Sequence, residues 1–478
     1  MPSDTATATL GAGRSSRSIF GIYPIIVVFF AVWLAMSQVG LGGVGRPMFP
    51  AVAAVVAALL LRANRRSDYI TFVLWLFMLT PFLRRVVDLH AGWSQVNLLM
   101  LAPYAAGLLC AWPVAKTLFA RGFAYSLLFG VVFATVVYGV IVASIDDRWM
   151  SGSFDALRWL VPPIFGLFVA MDAERQLEYR ATVVRAMLVA LIVLSIYGVY
   201  QFIVAPPWDT FWMRESKLLS IGFPQPYQIR VFGTMNSPAS LAVFLMAGLL
   251  WAIPARAAIR PIAIGAGVIG LLLTLVRTSW LGLVIGVVYL VVFGASARAR
   301  LSIAIAIFCL PLVVLVIEQI PTGAEIINTR IASLSTVSND TSVLDRSSEY
   351  VEFFENTLPR APFGAGLGAT GSYQAYLTAN SATVLLDGAI MEIGVPLGVF
   401  AGGAYLLAVL TAAIIACWNS IRSGDTFLSS CGAIVASLSL SLLAGNIATG
   451  EAGIVFWLAT CFCLAPAPRG LAGAAALR

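Results

Sequence analysis

The chain is poor in charge. Asp, Glu, Lys and Arg make up 11% of its 478 residues, 60% are hydrophobic, and the mean hydropathy is +0.93. So little charge does not cover a water-soluble surface of this size, and the apolar exterior must meet lipid. Histidine is nearly missing, His90 being the single one. The six cysteines, Cys110, Cys309, Cys417, Cys431, Cys461 and Cys463, lie in or at the ends of apolar runs, where thiols behave as small hydrophobes. Neither a metal centre, a cofactor nor a disulfide framework is expected. No polar stretch is long enough to form a separate soluble domain. Basic residues are dispersed instead of gathered in a stripe, which speaks against nucleic acid as a partner. The apolar runs are almost free of Asp and Glu, and no repeat of the two halves is visible; both disfavour coupled transport.

What is present is a succession of apolar runs from Ile19 to Ala465. Spans of ~17 to 22 residues are predicted near 19–37, 46–62, 69–84, 97–114, 124–144, 158–172, 183–204, 238–254, 261–276, 279–294, 301–318, 394–417, 427–446 and 453–468. The expected fold class is thus an all-α polytopic integral membrane protein with about 12–14 transmembrane helices and one long outer loop. The first run is too long for a signal peptide and is read as a span. Two places invite a broken or re-entrant helix: the run interrupted by Pro162 and Pro163, and the pair meeting at Arg277. Lys and Arg fall in alternate short loops, including Arg62, Arg65, Arg66, Lys116, Arg175, Arg180, Arg256, Arg260 and Arg422. The positive-inside rule makes those loops cytoplasmic and both termini internal. The predicted organisation is a tail at 1–18, a helical bundle at 19–318, a loop or cap at 319–393, a C-terminal helical part at 394–468 and a tail at 469–478.

The opposite face then receives 84–97 with His90, 145–155, 205–237, the turn at Arg277 and the long stretch from Gln319 to about Gly388. Loops of that length usually carry function. Its Gly364, Gly366, Gly368 and Gly371 read as hinges of a cap. Arg277 stands between two uncharged apolar runs, and an intramembrane Arg costs at least ~2.5 to 3.5 kcal/mol unless it has a partner or an anionic ligand. Arg230, in Gln228-Ile-Arg-Val-Phe-Gly-Thr-Met-Asn-Ser-Pro, supplies a second guanidinium at membrane level. Two planar, permanently charged forks suit a diphosphate in a site without metal. Gly233 allows a sharp turn and Pro238 a helix start.

Four segments in order carry a resemblance. They are Arg230-Val-Phe-Gly-Thr-Met-Asn-Ser-Pro, Leu275-Val-Arg-Thr-Ser-Trp-Leu-Gly-Leu, Asp345-Arg-Ser-Ser-Glu-Tyr leading to Pro359-Arg-Ala-Pro-Phe-Gly-Ala-Gly-Leu-Gly, and Glu392-Ile-Gly-Val-Pro-Leu-Gly. Together they resemble the O-antigen ligase and polymerase superfamily over about Arg230 to Gly398; the N-terminal half matches only in being helical.

The resemblance implies a membrane-embedded, metal-independent glycosyltransferase of GT-C-like fold. It would act at the periplasmic side of a bacterial inner membrane on oligosaccharide repeat units linked to undecaprenyl diphosphate. Donor and acceptor would both be carrier-linked, with membrane lipids and a chain-length regulator or export machinery as further partners. Arg230 and Arg277 match arginines assigned to the lipid diphosphate, and Arg346 matches the loop arginine. Glu349 and Asp387, together with Asp345 and Glu392, are the carboxylates available as base in an inverting attack; Asn236 and Tyr227 are candidate substrate contacts. Ligases carry a histidine shortly before the Glu-x-Gly motif, where this chain reads Ala379-Asn-Ser-Ala-Thr-Val-Leu-Leu-Asp-Gly. That departure favours a polymerase over a ligase, with a transporter or flippase as the reading from another class.

Overall fold

The computed structural model describes residues 21–120, 124–216, 221–294, 350–369, 388–442 and 445–465. Both predicted tails, the span expected at 301–318 and most of the 319–393 loop lie outside the described residues. Among the described residues every regular element is a helix, apart from one isolated bridge between Gly222 and Ile229. The helices are α1 (Tyr23–Gln38), α2 (Gly42–Arg62), α3 (Arg66–Ala91), α4 (Ala102–Leu108) entered through a 3-10 turn at Leu98–Leu101, α5 (Ala111–Ala120), α6 (Ser126–Ile145), α7 (Trp149–Met171) and α8 (Gln176–Val204). There follow α9 (Pro207–Ser216), α10 (Pro238–Ala252), α11 (Arg260–Leu273), α12 (Arg277–Phe293), α13 (350–360), α14 (Ala389–Ser423), α15 (Thr426–Ser441) and α16 (Gly450–Leu464).

Seven helical stretches are long and apolar enough to cross a membrane, and six shorter apolar helices accompany them. The protein is therefore an all-α, multi-pass membrane protein. Its helices pack through small residues, as expected where lipid removes the hydrophobic drive between helices. A Cβ on Gly166 of α7 would stand 2.7 Å from the Trp457 carbonyl of α16, and one on Gly107 would stand 2.6 Å from Val161.

The loops alternate between two faces. On one, Arg66 pairs with Asp172 at 2.8 Å, Ser67 donates to Glu178 at 2.5 Å, and Arg180 pairs with Asp425 at 2.6 Å. These tie together the basic loops that the charge bias groups. On the other face Arg46 and Arg84 both meet Asp88, at 2.8 and 3.3 Å, and Asn97 donates to the same carboxylate at 2.7 Å.

Three sequence expectations are corrected. Helix α7 runs unbroken through Pro162 and Pro163 over 23 residues. The prolines remove only the donors that would pair with the Arg158 and Trp159 carbonyls, and close packing against α4 and α16 holds the helix regardless. The outer segments at 84–97, 145–155 and 205–237 are shorter as loops than expected, because α3 continues to Ala91, α7 begins at Trp149 and α9 occupies Pro207–Ser216. The interruption expected at Arg277 is present as the turn between Leu273 and Arg277, and a further break falls in α14, at Gly398 with φ 71° and ψ −168°.

The glycine run closes that break and is not a hinge. Gly364, Gly366 and Gly368 all have φ near 80° (82°, 80° and 76°). Ala365 N donates to Val395 O at 2.8 Å and Gly366 N to Pro396 O at 2.9 Å. The carbonyls that the interrupted helix leaves open are thereby satisfied, as apolar surroundings demand. On its other side Leu367 N donates to Gly139 O at 2.9 Å, and Tyr138 donates to Phe363 O at 2.7 Å. A side chain at 366 would run into the Ala143 backbone. Gly371 lies outside the described residues.

Gly366→Ala is expected to lower stability by more than ~2 kcal/mol, from its left-handed backbone and this clash. Gly403→Ala, in open space within α14, should be neutral or stabilising by up to ~1 kcal/mol. Thermal melting of the detergent-solubilised protein separates the two, and equal melting temperatures would contradict the strap.

Candidate functional site

Residues 221–237 contain Gly222, Pro224, Pro226 and Gly233 and fold as a small hairpin followed by an anchored loop. Arg230 N donates to Ile221 O at 3.0 Å. Tyr227, at φ 63°, donates through its amide to Phe202 O at 2.7 Å, and its ring packs edge-on to Phe202 at 5.6 Å. Tyr227 is thereby fixed at the carboxyl end of α8.

The Gly-Thr-Met loop that follows is fastened at each residue. Gln201 Oε1 accepts from Phe232 N at 3.0 Å and Gly233 N at 2.9 Å, while Thr234 Oγ1 donates to Met78 O at 2.6 Å. Gly233 has φ 55° and its Cα faces Leu241 and the Leu194 carbonyl so closely that a Cβ would stand 3.1 to 3.4 Å from them; glycine meets both demands.

Arg85 is the hub of this arrangement. It is fully buried, ion-paired to the equally buried Asp209 at 2.7 Å, and donates to Gly233 O at 2.5 Å and to Met235 O. Its guanidinium lies 4.8 Å from the centre of the Phe232 ring. Asp209 also accepts from Gln201 Nε2 at 2.7 Å and from Tyr197 at 2.8 Å, and Trp208 donates to that Tyr197 hydroxyl at 2.7 Å. Burial pushes the Asp209 carboxyl up from the ordinary aspartate range, while Arg85, Gln201 and Tyr197 pull it back. A carboxylate this deep keeps its charge only with such partners.

The fixed loop delivers Arg230 to the turn between α11 and α12. Val231 N donates to Leu273 O at 3.1 Å, and the Arg230 guanidinium donates to Leu275 O at 3.3 Å, two residues before Arg277. That turn is itself tied. Thr274 Oγ1 donates to Leu271 O at 2.7 Å and accepts from Val276 N at 3.3 Å, and Trp280 Nε1 donates to Leu271 O at 3.1 Å. Leu275 takes φ 56° to close it. Arg277 opens α12 and is half-buried, as is Arg230. The two guanidinium residues singled out from sequence are brought to one turn.

The turn is recessed. Gly270 of α11 faces Ser195 of α8, α8 runs nine residues past that level and α11 only three, so at 1.5 Å per residue the turn lies ~9 Å below the end of α8. Helices α10 and α12 pair Met246 with Gly282 and Leu250 with Gly286, which sets Arg277 level with the first turn of α10. The amino ends of α10 and α12 thus share one buried layer, and free amides with positive dipole ends favour an anion there.

Asn236 stands just before α10; its amide nitrogen meets Met100 Sδ at 3.8 Å and its buried Oδ1 has no partner among the described residues. Glu392 accepts from Asn446 N at 3.2 Å. His90 is bound through Nδ1 to Val86 O of its own helix at 2.8 Å. Asp345, Arg346, Glu349 and Asp387 lie outside the described residues. Arg85, Gln201 and Asp209 were not found from the sequence. The available signal was two adjacent arginines at the end of an apolar helix, with an Asp-bearing outer loop to receive one of them.

Truncating Arg85 leaves Asp209 buried and unpaired, so Arg85→Ala should cost about 3–5 kcal/mol and empty the membrane of folded protein. Arg85→Met with Asp209→Asn should recover a large part of that loss. Monodispersity and melting temperature after solubilisation measure both, and an Arg85→Ala protein as stable as the parent would contradict the hub. No protein-family model matches the chain, and no curated protein matches it as a relative; the family resemblance rests on the four motifs alone.

Proposed function

We propose that the protein is a metal-independent membrane glycosyltransferase that polymerises oligosaccharide repeat units carried on undecaprenyl diphosphate at the periplasmic face of the bacterial inner membrane. The observation that carries this reading is the donation of the Arg230 guanidinium to the carbonyl two residues ahead of Arg277, within a recessed turn. Two cations held at one turn suit a lipid-borne diphosphate arriving from the surrounding leaflet.

In this reading the two guanidinium groups and the amino end of α12 hold the diphosphate and stabilise the negative charge that grows on it as the anomeric bond breaks. Fixed donors aimed at developing charge in a water-poor site are the strongest electrostatic help a protein gives. The rigid turn supplies that fixity, since neither arginine's backbone has to reorganise during the step. Attack by a hydroxyl of the acceptor glycan from the opposite side of the sugar inverts the anomeric centre.

Polymerase is preferred to ligase because the segment before Glu392 has no histidine. Each arginine lost removes a charge-assisted contact of ~1.5–3 kcal/mol. Arg277→Ala and Arg230→Ala are accordingly expected to weaken undecaprenyl diphosphate binding about 10-fold or more and to abolish long-chain glycan in cells, with protein abundance kept. Polymer of normal length from both variants would contradict the diphosphate clamp.

A further inference from the structure

A second polar cluster lies at the same level, on elements that the four motifs barely touch. Arg158 of α7 stands nine residues below the start of its helix, ~13 Å at 1.5 Å per residue. Opposite it lies Gly450, the first residue of α16, where a Cβ would stand 3.5 Å from the guanidinium and 3.8 Å from the Tyr104 hydroxyl. The pairing continues downward as Pro162 with Gly453 and Gly166 with Trp457, so α16 begins at the level of Arg158. It is the third helix to open below the outer ends of its neighbours.

Arg158 pairs with Asp155 at 3.2 Å and shares the space opposite Gly450 with the Tyr104 hydroxyl, and the carboxylates of Glu392 and Glu451 both act on it. Half of its side-chain surface nevertheless remains exposed, so it lines an opening and is not sealed in the core. Glu451 follows Gly450 in the first turn of α16, next to the position that faces Arg158, and Ser240 in the first turn of α10 acts on its carboxyl. Ser240 in turn accepts from Ser237 at 3.0 Å, next to Asn236. Glu451 therefore sits between the Arg158 cluster and the loop that carries Arg230.

The charge of this cluster decides what it takes. One arginine faces three carboxylates, so a second diphosphate is repelled, while sugar hydroxyls find strong acceptors in the carboxylates and donors in Arg158 and Tyr104. Asn236 Oδ1 and Asn446 Nδ2, which have no partner among the described residues, stand on the loops leading into α10 and α16 and are further groups that a glycan hydroxyl would satisfy. Glu392 is tied to the Asn446 amide, whereas Glu451 borders both clusters.

We propose that the recess between α4, α7, α10 and α16 is the acceptor-sugar subsite, with Arg158 positioning the acceptor glycan and Glu451 taking the proton of its attacking hydroxyl. The inference rests on the glycosyltransferase reading above. In the step, the acceptor oxygen bonds to the anomeric carbon of the donor, the bond from that carbon to the diphosphate oxygen breaks, and its electron pair leaves with undecaprenyl diphosphate. The hydroxyl proton passes to the Glu451 carboxylate. A positioned base contributes about 100- to 10,000-fold.

The test uses the full chain in lipid nanodiscs. Undecaprenyl diphosphate serves as the binding probe, and the carrier-linked repeat unit, isolated from cells in which this chain is inactivated, as the substrate. Glu451→Gln should lower the polymerisation rate at least 100-fold while undecaprenyl diphosphate binding stays within threefold of the parent. Arg158→Lys should raise the KM for the acceptor about 10-fold with kcat within threefold. If Glu451→Gln does not stay monodisperse, Glu451→Asp takes its place, with a loss of at least 10-fold expected. Normal polymerisation by the Glu451 variant, beside loss of diphosphate binding in Arg277→Ala, overturns the acceptor subsite and leaves the glycosyltransferase reading standing. Diphosphate binding that is absent from the parent, or unchanged in Arg230→Ala and Arg277→Ala, overturns both.

Discussion

The arrangement depends on a single buried ion pair, Arg85 with Asp209. Two charges taken out of water each lose several kcal/mol of hydration, and their mutual attraction offsets this only where the remaining hydrogen-bonding capacity is also used. Here most of it is used: beside the ion pair, Arg85 donates to the carbonyls of Gly233 and Met235, and Asp209 accepts from Gln201 and Tyr197. Gln201 then fixes the amides of Phe232 and Gly233 with its other end. The network joins α3, α8, α9 and the 232–235 loop, so the position of Arg230 follows from charge burial on three other elements.

Around this loop, helices α10, α12 and α16 begin below the amino end of α7 and the carboxyl end of α8, and α14 is broken at Gly398. Irregular backbone at such depth is tolerated only where protein supplies the missing hydrogen bonds. The glycine strap at 364–368 supplies them for α14, and tied turns do so before α10 and α12. The resulting recess is polarised: Arg230, Arg277 and helix amino ends lie on one side, and Asp155, Glu392 and Glu451 around Arg158 on the other. In the proposed transfer, a donor that departs as an anion and an acceptor that gives up a proton place opposite demands on their surroundings, and the two sides differ in that sense.

The helical, multi-pass fold was legible because hydropathy and the spacing of Lys and Arg act through local chain length and loop charge. Helices stand at thirteen of the expected spans, and the ion pairs of Arg66 and Arg180 gather the basic loops on one face. Arg230 and Arg277 were legible because a guanidinium beside an apolar run is costly and therefore conspicuous. Arg85 and Asp209 were not, since a charge at a helix end and a charge in an outer loop look like ordinary surface residues until packing buries them together. Arg158 was hidden by Pro162 and Pro163, which made its helix look broken, and Glu451 by its place just ahead of an apolar run. The glycine run misled for a similar reason: positive φ and close backbone approach use the same residue as flexibility does, and only the neighbouring Ala143, Ser151 and Pro396 backbones distinguish them.

The most direct measurement is an experimental structure of the protein in lipid nanodiscs with undecaprenyl diphosphate bound. The account predicts density for the two phosphates at the turn between α11 and α12, within hydrogen-bonding distance of Arg230 and Arg277 and with the polyprenyl tail leading out into the leaflet. Phosphate density on the face that carries Arg66 and Arg180, or Arg230 and Arg277 directed away from the bound lipid, would contradict it.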